Sequence, residues 1–129
     1  MCTVTYIPKA NNTFVLTSNR DKFVGGTALF TIFYAVDGVK RLFPKDVVAG
    51  GSRIGISERN RLIYLLNGGF ENHLRLANYP MSPGVVVKEL LKVKNVRDAM
   101  ERFDFSNIEP FTIVAVDWNI NRLGSRYVV

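Results

Sequence analysis

The residues with the most chemical potential stand at the very start of the chain. Met1-Cys2-Thr3 puts the only cysteine directly behind the initiator methionine. Methionine ahead of a small residue is commonly removed, which makes Cys2 the mature N-terminus. A thiol with pKa ~8.5 and an α-amine with pKa ~8 then share one residue. Nucleophile and proton acceptor come together, and the arrangement needs no histidine. The one histidine, His73, reads as a surface or turn residue. A cysteine at position 2 is weak on its own. It gains weight from Ser18-Asn19-Arg20-Asp21, because a hairpin would bring this strand end beside Met1-Cys2-Thr3. There the Asp21 carboxylate would orient the α-amine, and the Arg20 guanidinium would favour the thiolate.

Composition narrows the classes around this core. The chain has 129 residues, 47% hydrophobic and 22% charged. That is an ordinary globular composition for one domain and argues against disorder or low-complexity sequence. One Cys and one His supply no zinc-finger or iron-sulfur ligand set, so any metal site would have to be built from carboxylates; no cofactor and no metal are expected. The apolar stretch from Ala28 to Val36 is far below the ~20 residues that span a bilayer, so no membrane span is expected. The start lacks the apolar run of a secretory signal, and a cytoplasmic protein with a free thiol follows. The net charge is +6, but the basic residues are scattered from Lys9 to Arg126. They read as surface charge rather than a nucleic-acid face.

The elements that must hold these residues follow from local pattern. Thr3 to Ile7 and Thr13 to Thr17 read as strands around an Asn11-Asn12 turn. Ala28 to Val36 is an apolar strand, and Asp37-Gly38 is a two-residue hairpin signal before Val39 to Phe43. Arg53 to Ser57 and Arg61 to Leu66 are strands joined by Glu58-Arg59-Asn60. Asn67-Gly68-Gly69 ends the second of them. The period then changes. Ser82 caps a helix over Pro83 to Val93, with Val86, Val87, Leu90 and Leu91 on one face. Asn95 and Asp98 open a short second helix with the stripe Val96, Ala99, Met100, Phe103. Strands at Phe111 to Val116 and Arg122 to Val129 complete an α+β domain with a mainly antiparallel sheet and a helical hairpin.

The segments MCTVTYIP, FVLTSNRD and LLNGGFENH resemble the NRDE family, also called the transport and Golgi organisation protein 2 family. LFPKDVVAGG, VVVKELLKV and NIEPFTIVAVDW extend the resemblance over most of residues 1 to 118. Members are similar to N-terminal-nucleophile (Ntn) hydrolases, above all the bile-salt hydrolase and penicillin V acylase group. The resemblance implies a four-layer αββα sandwich, with Cys2 as nucleophile, Asp21 binding its α-amine and Asn67 helping to form the oxyanion hole. Asn19 and Arg20 support them. The acylases carry an arginine three positions before the aspartate, where this chain has Ser18. Lys22 stands where the family usually has glutamate, residues 23 to 36 are more apolar than expected, and Arg53 replaces a common tryptophan. The later asparagine and arginine of the acylase site would lie beyond Val129. Residues 1–129 are therefore expected to form a single but incomplete NRDE domain.

Three readings follow. The first is a cysteine hydrolase cleaving a non-peptide C–N (amide) or thioester bond in a small, anionic substrate. The second is a non-catalytic relative that binds or moves a lipid, acyl-CoA or haem ligand. The third is a shortened, inactive relative held together as a homodimer through exposed sheet edges.

Overall fold

A computed structural model describes residues 3–11, 13–19, 29–47, 50–68, 78–118 and 125–128. The chain is α+β. Eight described strands fall into two antiparallel sheets, and two helices join them. Strands β1 (Thr3–Pro8) and β2 (Phe14–Asn19) form a hairpin. Strands β3 (Ile32–Val36), β4 (Val39–Phe43), β5 (Ile54–Ser57), β6 (Arg61–Asn67), β7 (Phe111–Asp117) and β8 (Ser125–Val128) make a six-stranded sheet in sequence order. Helices α1 (Pro83–Lys92) and α2 (Val96–Arg102) are inserted between β6 and β7.

Period-2 alternation on β6 and β7 sorts the core into two halves. Ile63, Leu65, Ile113 and Ala115 face the helices, where they pack with Val86, Val87, Leu90, Leu91, Val96 and Met100. Leu62, Tyr64 and Val116 face the other way, and against them lie Val4, Tyr6, Phe14 and Leu16 of the hairpin. The layers are therefore helices, six-stranded sheet, hairpin. A strand covered on both faces reads as a continuous apolar run, which is why β6 carries Leu62 to Leu66 without a polar break. Each fully buried aliphatic side chain contributes roughly 1.5–3 kcal/mol of transfer free energy.

The local signals act as expected at most positions. Ser82 accepts a hydrogen bond from Gly84 N and caps α1, and Asn95 Oδ1 accepts from the amides of Arg97 and Asp98 at the start of α2. Asp37 and Gly38 both take positive φ (54° and 71°), the conformation of the hairpin turn that matches strand twist. Asn11 and Asn60 likewise sit left-handed in their turns. One strand is shorter than the sequence suggests. Of the stretch Ala28 to Val36, only Ile32–Val36 is strand, residues 29–31 are irregular, and residue 28 lies outside the described residues. Its apolar residues satisfy strand propensity, but β3 forms the sheet edge and much of it is exposed.

One buried cation ties the layers together. Arg61, the first residue of β6, is fully buried on the helix side. Its Nη1 donates to the carbonyls of Leu90 (2.9 Å) and Val93 (2.7 Å), and its Nη2 donates to Lys94 O (3.2 Å). The guanidinium thus supplies donors to carbonyls around the C-terminal end of α1, where the helix dipole favours positive charge. Nη2 also reaches Asp117 Oδ2 at 2.9 Å, directly across the β6–β7 ladder.

Candidate functional site

The two ends of the molecule differ in what they carry. Strand pairing puts the Asp37-Gly38 and Glu58–Asn60 turns, Trp118 and the C-terminal end of α1 at one end. Phe14 packs on Trp118 with ring centroids 5.5 Å apart, so the turn of the β1–β2 hairpin lies there too. Val4, near the open mouth of the hairpin, still belongs to the shared cluster. The hairpin therefore runs back over the sheet toward the other end, which carries Asn67 and Gly68, Gly51 to Arg53, and the start of α1.

The hairpin mouth is the candidate active site. Thr3 pairs with Asn19 and Val4 with Ser18. Asn19 adds a side-chain bond, its Oδ1 accepting from Thr3 N at 3.0 Å. Thr3 N is the nitrogen of the peptide bond joining Cys2 to Thr3, so Asn19 grips the chain one bond beyond Cys2. The structure thus brings together the two segments that the sequence singled out, through Thr3 and Asn19. Cys2, Arg20 and Asp21 lie outside the described residues, as do Lys22 and His73.

Asn67 is the exposed last residue of β6, paired with Phe111. The left-handed residue at this strand end is Gly68 (φ 79°), not Asn67, so the asparagine is not needed for positive φ. The turn is fastened to the start of β7: Gly68 N donates to Pro110 O at 2.8 Å, and Thr112 Oγ1 donates to Gly68 O at 3.1 Å. Such bonds fix where the asparagine amide starts from. Arg53 sits one strand away, its carbonyl accepting from Leu65 N at 2.7 Å.

A feature of this end that sequence reasoning missed is the seating of α1. Ser52 N donates to Gly84 O (3.3 Å), and a Cβ on Gly51 would come within 2.7 Å of the Gly84 carbonyl carbon. Only glycine permits this approach of loop to helix. Nothing in the Gly50-Gly51 pair as a sequence named the helix as its neighbour. At the opposite end, Lys92 on α1 is hydrogen-bonded first by Glu89 and then by Asp37, which hold its pKa above the ordinary lysine value. That charge cluster belongs to the fold's far end and not to the hairpin mouth.

No group of three or more His, Cys, Asp or Glu side chains that could hold a metal occurs among the described residues. No described helix is long and apolar enough to cross a membrane. No protein-family model matches the chain, and no curated protein matches it.

Proposed function

We propose that this chain is an N-terminal-cysteine hydrolase of the NRDE type, acting on an amide or thioester bond of a small anionic molecule. Cys2, freed of Met1, attacks the carbonyl carbon as its α-amine takes the thiol proton. The oxyanion is held by backbone amides and Asn67, where one donor can be worth ~3 kcal/mol. Collapse breaks the C–N or C–S bond and the stored proton leaves with the amine or thiol. Water then cleaves the acyl-enzyme, releasing acid and restoring the thiol. Asp21 holds the α-amine, with Asn19 and Arg20 beside it.

The observation that carries this reading is the Asn19 grip on Thr3 N, which fixes the chain on either side of the hairpin mouth. The layering of helices, sheet and hairpin also suits the first three layers of an αββα sandwich. The net charge of +6 favours an anionic substrate. The protein is placed in the cytoplasm, where the thiol stays reduced, and it works as a homodimer. The test is incubation with a panel of acyl amides and acyl thioesters. Acyl transfer to Cys2 seen by intact mass, and abolished in Cys2→Ala, is expected. Ligand binding that survives Cys2→Ala, with no acyl adduct on any substrate, would replace hydrolysis by a carrier role.

A further inference from the structure

The six-stranded sheet and the β1–β2 hairpin are held by different means. Strands β3 to β8 share one continuous ladder, and the larger cluster of buried side chains ties that sheet to α1 and α2. The hairpin has a ladder of its own, a separate sheet of two strands. Among the described residues no backbone hydrogen bond runs from it to the six-stranded sheet. It rests there on side chains, with Val4, Tyr6, Phe14 and Leu16 against Leu62, Tyr64 and Val116.

This seam is unevenly buried. On the sheet side Leu62, Tyr64 and Val116 are buried. On the hairpin side no residue is: Val4, Tyr6, Phe14 and Leu16 are half-buried, and the other residues of both strands are exposed. Apolar attachment scales with the area removed from water, so the seam holds less strongly than the core between helices and sheet. An element with few buried apolar contacts and no shared ladder opens at a lower free energy than the whole fold. We infer that the hairpin docks on and leaves the six-stranded sheet as one unit, in an equilibrium separate from global unfolding. Away from the sheet a lone two-stranded hairpin is marginal in water, so departure also loosens the β1–β2 ladder.

The consequence falls on the candidate site. Thr3 and Asn19 travel with the hairpin, while Asn67 stays on β6. The proposed site is therefore assembled only in the docked state, and docking gates the reaction. That role rests on the hydrolase reading; the motion does not, and its test reads no activity. The seam also carries its own reporter. Trp118, the only tryptophan of the chain, packs on Phe14 with ring centroids 5.5 Å apart, and Phe14 stacks on Tyr6 at 5.4 Å.

The test is native-state hydrogen exchange resolved by residue, beside urea titrations followed by Trp118 emission and by helical ellipticity, for the wild type, Phe14→Ala and Leu90→Ala. In the wild type the amides of β1 and β2 should exchange at least about tenfold faster than those of β6 and β7. Trp118 emission should shift to the red at lower urea than the helical signal is lost. Phe14→Ala should speed exchange in β1 and β2 alone. Leu90→Ala, at a fully buried position of the helix–sheet core, should speed it in β6 and β7 alone. Hairpin and sheet amides exchanging at one rate, coincident urea transitions, or either substitution moving both sets together would overturn the inference. None of these results would touch the hydrolase reading, and a failure of acyl transfer to Cys2 would leave the separate opening standing.

Discussion

Replacing Arg61 with methionine removes the donors that join the C-terminal end of α1 to β6 while keeping most of the side-chain volume. The wild-type guanidinium makes hydrogen bonds to Leu90 O, Val93 O, Lys94 O and Asp117 Oδ2 with no exposure to water. Without it, carbonyls at the end of α1 lose their donors and the largely buried Asp117 carboxylate loses its bond to Arg61. Removing one partner of a buried ion pair costs ~3–5 kcal/mol. A chain of this length has a total stability of roughly 6–19 kcal/mol, so the loss is a large share of it. The melting temperature should fall by roughly 10–20 °C. Urea unfolding followed by circular dichroism at pH 7 measures the change directly. The double variant Arg61→Met/Asp117→Leu should lose less than the sum of the two single variants, because the two charges leave together. A loss under ~1 kcal/mol for Arg61→Met would refute the tie between helix and sheet.

Gly51→Ala drives a Cβ into the Gly84 backbone at 2.7 Å and should cost ~1–3 kcal/mol in the same urea assay. Leu90→Ala empties a fully buried site between α1 and the sheet and should cost ~2–5 kcal/mol. Lys92 has a raised folded pKa, so its contribution is complete below the ordinary lysine value of 10.5 and is lost as pH rises through the folded value. The stability gap between wild type and Lys92→Met should therefore shrink in alkaline urea titrations above about pH 10.5, from a plateau of no more than ~1 kcal/mol for so exposed a cluster. Asn19→Ala removes the acceptor for Thr3 N and should cost ~0.5–1.5 kcal/mol while slowing Cys2 alkylation. Asn19→Asp, which keeps an acceptor oxygen, should restore the alkylation rate; equal rates in all three proteins would leave Asn19 a purely structural residue.

Local signals were the legible part of this fold. The Asp37-Gly38 turn, the Ser82 and Asn95 caps and the Val86, Val87, Leu90, Leu91 face each depend on neighbours within a few residues, and each stands where the pattern put it. The hairpin of β1 and β2 was also readable, and with it the meeting of Thr3 and Asn19. Long-range partners were not. Nothing around Arg61 announces that a charged strand residue will be buried beneath carbonyls some thirty positions later. The apolar run from Ala28 to Val36 reads as strand, and the exposure of β3 could not be read with it, because propensity reports strand without reporting what covers it. Asn67 was picked out by its Asn-Gly-Gly setting, while its anchoring through Gly68 to Pro110 and Thr112 depends on β7, more than forty residues away.

The central claim is an N-terminal thiol activated by its own α-amine. It is tested most directly by intact mass of the purified protein before and after brief treatment with iodoacetamide at neutral pH, with fragmentation to place the adduct. The account predicts a protein lacking Met1, modified at Cys2 faster than a simple cysteine peptide under the same conditions. Retention of Met1, or a Cys2 no more reactive than the free peptide, would contradict it.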